Sequence, residues 1–463
     1  MLDPELISRL QFAFVVSFHA IFPVFTIGLA AFIAVLQAAF YFKRNPLMDQ
    51  LAIFWTRVFG VVFGMGVVSG IVMSFQFGTN WSVFAYSAAN FIGPVISYEV
   101  LTAFFLEAVF LGVLLFGRGK VAPGVHLFAA CMVAIGTMIS SFWILSVNSW
   151  MHTPAGVEIR DGLFYVTSWS EAIFNASLPY RLSHVLVASF LTGAVVVLGI
   201  SAWYLLRQRH VAMFSISLKM AAIMLLIAAP LQLLIGDEHG RNTLDHQPEK
   251  IAAIEAIWET EQAAPLLLFA WPDQAQETNH FELGIPHGAS LILTHRFDGT
   301  LQGLKEWAPE DRPPVLPVFW SFRVMVGIGL LLIGFGLWGG WRLLRGRLAE
   351  PGLYLKLAPW LIPLPFIAVL AGWFVTEIGR QPWVVYGLLR VEDALTPSLT
   401  GPMALTSLIG YLLVYALIFT AGLIVLKRVI LAGPDAAAEH STAHAKRPLA
   451  VAHKEHGKGG GNV

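Results

Sequence analysis

The chain has 463 residues, of which 57% are hydrophobic and 13% charged, and its formal net charge is zero. Soluble domains carry roughly 25% charged residues, so a soluble protein of this length is excluded, and the neutral balance names no nucleic-acid partner. The one cysteine, Cys131, excludes both a disulfide framework and a thiolate metal cluster.

Nine apolar runs approach the ~20 residues that cross a bilayer as a helix. They cover residues 12–40, 52–76, 94–116, 125–148, 183–206, 213–235, 318–341, 357–378 and 402–426. The N-terminal "MLDPELISRLQF" is acidic and lacks the basic region and cleavage site of a signal peptide, so the first span is expected to be retained. Within it, His19 precedes Pro23 by four residues, and a proline there leaves the His19 carbonyl without its helical partner. That loosened turn suits a ligand-bearing histidine, and a histidine bonded to a neighbouring helix is the alternative. Glycines 60, 64, 66 and 70 crowd span two, as close helix packing or a flat macrocycle would require.

Span three holds Glu99 and Glu107 in "ISYEVLTAFFLEAVFLG". On a regular α-helix they stand about 12 Å apart along the axis and about 80° apart in rotation. Two carboxylates stepped through a membrane read as a proton relay, although a structural acid is the plainer alternative. His184 opens span five and Met325 lies early in span seven, at the same expected depth. Imidazole and thioether together can hold a low-spin haem iron, and an interfacial histidine with a core methionine is the bland reading.

The 236–317 segment between spans six and seven is long, charged and proline-rich, as functional or disordered loops are. Its "PEKIAAIEAIWET" sets Ile251, Ile254 and Trp258 at helical spacing, predicting a short amphipathic helix. Span eight ends in "GWFVTEIGRQPW". There Glu377 and Arg380 form either a local ion pair or an anionic iron ligand beside a carboxylate-binding guanidinium. Pro382 turns the chain and Trp383 suits the interface.

Lys43, Arg44, Arg118, Lys120, Arg207, Arg209, Arg342, Arg345, Arg347, Lys427 and Arg428 all follow odd-numbered spans. The positive-inside rule then places the N-terminus and the long loop outside and the C-terminus in the cytoplasm. The expected fold is an all-α membrane protein, a bundle of about nine transmembrane helices with a long extracytoplasmic loop. Its parts are helices one to six (1–235), the loop (236–317), helices seven to nine (318–430) and a disordered tail (431–463).

Taken together, "ISRLQFA", "FQFGTNW", "AAIEAIWET", "PDQAQETN" and "GWFVTEIGRQPW" resemble subunit I of the cytochrome bd-type quinol oxidases, in the right order over residues 1 to 430. The direct run into "PPVLPVFWSF" is similar to the short-loop branch that includes cyanide-insensitive oxidases. The resemblance implies low-spin haem b on His184 and Met325. It also implies two high-spin haems, one haem b and the other haem d or a further haem b, served by His19, Glu99 and Glu377. It further implies a proton route through Glu107 and Ser140, and propionate contacts at Arg323, Arg380 and Trp383. Quinol, ubiquinol or menaquinol, would be oxidised at Lys250, Glu255 and Asp237. The implied partners are dioxygen, membrane lipid, a second membrane subunit and, in some members, a small single-span subunit, in the bacterial cytoplasmic (inner) membrane.

Three rival functions are weighed against this. A haem-copper oxidase needs about six intramembrane histidines, whereas only His19, His126 and His184 lie in or beside spans. A proton-coupled transporter would use the same acids and show paired discontinuous spans. A haem electron-transfer subunit would bind haem without reducing dioxygen.

Overall fold

The computed structural model describes residues 2–434, so all but the first four residues of the expected disordered tail lie outside them. The bundle begins with α1 (Pro4–Lys43), whose first turn is capped by the Asp3 carboxylate and opened by Pro4. Arg44 adopts the left-handed conformation, Asn45 caps the Leu47 N–H, and Pro46 starts α2 (Pro46–Thr79). Helix stop, cap and helix start thus occupy three consecutive residues, so α2 returns against α1.

α3 runs over Ala89–Phe116 and α4 over Pro123–His152. After a hairpin, Val157–Arg160 paired with Leu163–Val166, come α5 (Leu178–Leu206) and α6 (Val211–His246). The short α7 (Pro248–Glu255) precedes α8 (Val315–Leu344), α9 (Pro363–Ile378) and α10 (Gly401–Ala432). Among the described residues, eight helices are long and apolar enough to span a membrane. A bent pair, Leu353–Leu361 and Pro363–Ile378, broken by 40°, makes nine when it is counted as one span. Pro363 and Pro365 have no N–H for the preceding turn, which explains the break in a run that reads as continuous.

The expected boundary at residue 235 is overrun: α6 keeps its helical bonds through polar residues to His246 and stops only before Pro248. The connecting segments also contain four two-stranded antiparallel ladders. The longest joins Leu266–Asp273 to Thr278–Ile285 in the segment between α7 and α8. The anticipated amphipathic helix is α7, with Ile251 and Ile254 buried, while Trp258 is buried just beyond its end.

α1 and α5 approach until a Cβ added to Gly28 would lie 2.1 Å from the Ser189 carbonyl oxygen. Of the four crowded glycines, Gly66 and Gly70 face Phe22 and His19 of α1, whereas Gly64 has open space. "FQFGTNW" closes α2 with a buried Asn80 whose side-chain amide donates to Ser8 Oγ at 3.0 Å, while its backbone carbonyl accepts from Thr396 N–H at 3.0 Å. At the opposite, basic end, Arg118 pairs with Asp49, and Tyr204 donates to the Ile430 carbonyl.

Candidate functional site

Polar side chains gather in two places. The first is the α3–α4 contact. Between Glu99 and Glu107 the helix widens into a π turn, Val100–Phe104. Bonding from i to i+5 takes more residues per turn, so the rotation between the acids is smaller than a regular helix gives. Both then face α4. Ser140 Oγ donates to Glu99 Oε1 at 2.8 Å. A Cβ on Gly136 would lie 2.6 Å from Glu107 Cγ. Gly136 and Ser140 are four apart, hence on one face of α4. Trp143 Nε1 donates to Thr102 Oγ1 at 2.8 Å, fastening the π turn. Glu107 is 6% exposed, and its Oε1 is buried without a hydrogen-bond partner.

The second gathering lies at the C-terminal end of α4. Glu377, closing α9, accepts from Arg380 at 2.6 Å and from Asn148 Nδ2 at 2.8 Å. His152 Nε2 lies 3.6 Å from Glu377 Oε1. On the far side of that ring, Lys250 Nζ is 3.0 Å from Nδ1 and donates to Gln247 Oε1 at 2.6 Å. Arg181 reaches Asn148 Oδ1 at 3.5 Å. Burial, then the Arg181 and Arg380 charges, hold the Lys250 amine well below the usual lysine range. Burial likewise lowers Arg380 and raises the Glu249 carboxyl.

The proposed quinol residues separate. Lys250 and Glu255 leave α7 in different directions, and Glu255 Oε2 accepts from Arg323 at 2.6 Å. Arg323 also donates to the Leu267 and Ile254 carbonyls and lies over the Phe319 ring. Glu255 lines a cavity of about 220 Å³ with Trp258, Glu259, Glu261, Asn279 and Glu282. Asp237 stands apart, half-exposed, paired with His295 at 3.2 Å.

The iron-ligand candidates have the donor chemistry a haem requires. Ser69 Oγ donates to the Gly66 carbonyl at 2.9 Å, so His19 Nδ1, 3.0 Å away, is assigned as donor to Ser69. That tautomer leaves the Nε2 lone pair for a metal. His184 Nδ1 is buried without a partner, with its ring 5.4 Å from that of His239 on α6. Met325 Sδ lies 3.0 Å from a Cβ position on Gly372, so it faces α9. Imidazole, thioether and carboxylate donors fit haem iron. Arg380 Nη1 is buried with no hydrogen-bond partner and Nε donates to the Trp383 carbonyl at 3.2 Å, a geometry suited to an added carboxylate.

Sequence reasoning missed His152, Gln247, Asn148 and Arg181. Arg181 carried a signal, a charge at the mouth of span five. The others are polar residues at span edges, significant only once α4, α7 and α9 meet.

The chain matches the family described as cytochrome bd terminal oxidase subunit I over residues 7–434. It is similar to cytochrome bd ubiquinol oxidase subunit 1 of Bacillus subtilis (strain 168), at 35% identity over 95% of each chain. It is similar to cytochrome bd-II ubiquinol oxidase subunit 1 of Escherichia coli (strain K12), at 34% identity over 93% of this chain and 97% of that one. Among solved structures it is similar to the bd oxidase from Geobacillus thermodenitrificans. That match has a TM-score of 0.85 and 31% identity, over 93% of this chain and 99% of the other.

Proposed function

The chain belongs to the cytochrome bd terminal oxidase subunit I family, and from that premise we propose how its residues divide the work. It is a multi-pass inner-membrane protein and an oxidoreductase, the haem-bearing subunit of a terminal quinol oxidase. The observation that carries the reading is the meeting of α4, α7 and α9, which joins the loop-borne Lys250 to Glu377 through one imidazole.

His184 and Met325 hold low-spin haem b. His19, Glu377 and Glu99 serve the two high-spin haems, one haem b and the other haem d or a further haem b. Arg380 and Trp383 face the propionates, and Arg323 keeps N–H groups on its terminal nitrogens for the same purpose. When bound, haem supplies one-electron transfer and the reduction of dioxygen.

The protein's own residues manage quinol and protons. Lys250 orients a quinol oxygen. Glu255, held by Arg323, accepts a quinol proton at its carboxylate and passes it to the acid-lined cavity of Glu259, Glu261 and Glu282. Asp237 takes a peripheral place on the loop side. Protons for water enter from the cytoplasmic end and are held in turn at Glu107 and at Glu99, where Ser140 steadies the carboxyl. With the long loop outside and the termini oriented by the basic connections, release and uptake on opposite faces generate a proton-motive force.

The quinol is ubiquinol or menaquinol. The apolar outer surface of the bundle meets lipid, a second membrane subunit and a small single-span subunit. The test combines a pyridine haemochromogen assay with quinol-dependent oxygen uptake on the purified protein. A Soret band with uptake supports the reading. A colourless protein would favour a transporter, and colour without uptake an electron-transfer subunit.

A further inference from the structure

His152 belongs to no haem-ligand or quinol assignment above, yet it is fully buried where three separate parts of the chain converge. Its Nδ1 is 3.0 Å from Lys250 Nζ and 3.2 Å from Gln247 Oε1. Lys250 donates to Gln247 Oε1 beside this nitrogen, so Nδ1 is assigned as acceptor from the amine, with the ring proton on Nε2. Nε2 is buried with no hydrogen-bond partner and lies 3.6 Å from Glu377 Oε1, within ion-pair range but outside hydrogen-bond distance. Lys250 itself is confined: a Cβ on Gly379 would lie 2.9 Å from its Cγ, so the lysine stem crosses the end of α9 in a slot only glycine leaves open.

We propose that His152 is a positioning residue that couples the quinol loop to the haem-level acid, holding Lys250 at one ring nitrogen and presenting the other to Glu377 at ion-pair range. The inference rests on the reading of Lys250 as a quinol residue. It requires an acceptor and a donor at fixed separation and no change of protonation, so a primary amide can stand in for the imidazole. A shift of the Lys250 amine is then felt at Glu377, and substrate at the loop bears on the acid without touching it.

The test uses the whole oxidase. His152→Leu removes both arms at similar volume. The Michaelis constant for a short-chain ubiquinol should rise about tenfold, as loss of one charge-assisted hydrogen bond implies. The reduced-minus-oxidised spectrum should change in the high-spin region and be retained at the low-spin band. His152→Gln, with a carbonyl acceptor and an N–H donor, should return both readings to within about twofold of the parent. Parental values in folded His152→Leu, or no rescue by His152→Gln, would overturn the coupling. Lys250→Ala separates the two levels. If it leaves the Michaelis constant unchanged, the quinol reading fails and the coupling with it. If it raises the constant and His152→Leu does not, the coupling alone fails.

Discussion

Glu377 and Glu107 are both carboxylates within the bundle, and their surroundings differ in kind. Glu377 is met by a guanidinium, an amide and an imidazole, with Arg181 and Lys250 beyond. Glu107 packs on Gly136, and one of its oxygens has no partner. An anchored anion is held by charged and polar neighbours and costs much to remove. A proton carrier needs the reverse, a carboxyl whose partners can be exchanged. The two sites thus separate holding from passing within one chain.

The largest expected effect breaks the first of them. Glu377→Leu leaves Arg380, 5% exposed, without its anion. Removing one partner of a buried pair costs about 3–5 kcal/mol. The melting temperature should fall clearly, and high-spin haem absorbance should be lost while the low-spin band remains. Unchanged thermal stability would show that Glu377 is not the anchor its neighbours suggest.

Glu107→Gln tests the other half. It keeps shape and removes proton exchange, so oxygen uptake should fall roughly 10²-fold or more, with the melting temperature and spectrum near those of the parent. Ser140→Ala, which removes one hydroxyl from Glu99, should cost less. If Glu107→Gln destabilised the protein as Glu377→Leu does, the contrast between passing and holding would collapse.

The same contrast explains what was legible in the sequence. Span number, the acids inside spans and the helix within the loop are local signals of apolar length, misplaced charge and periodicity. The π turn is not local in that sense: "VLTAF" reads as ordinary helix, and its widening is tied to Trp143 of another span. The regular-helix angle between Glu99 and Glu107 was therefore too large. The Glu377 cluster was visible as Glu377 and Arg380 alone, because they are three residues apart. Asn148, His152 and Lys250 join them only through tertiary packing. Asp237 and Lys250, close in sequence, part company because α6 continues to His246 before the chain turns.

A smaller effect is expected from pH. The Lys250 amine is held below the unfolded lysine value of about 10.4. Between the two values the unfolded chain binds more protons, so stability should rise with pH across that window. Burial sets the window first; the Arg181 and Arg380 charges lower the amine further, and Glu377 and Glu249 raise it. Glu249, itself raised by burial, gives the opposite slope just above the ordinary carboxylate value. The melting series is best taken above that range. Lys250→Met should flatten the rise, and an unaltered slope would place the titrating group elsewhere.

The smallest effect is expected at Asp237. Its carboxylate pairs with His295 at the protein surface, both side chains about a third or more exposed. Exposed pairs of this kind contribute below about 1 kcal/mol, and the pair lies outside the network joining Lys250 to Glu377. Asp237→Asn should leave the spectrum unchanged, shift the melting temperature little and raise the quinol Michaelis constant less than Lys250→Ala does. An equal or larger rise would move the quinol site outward from α7 toward the end of α6. The division between an anchored inner cluster and a solvated rim would then have to be drawn through Asp237 rather than inside it.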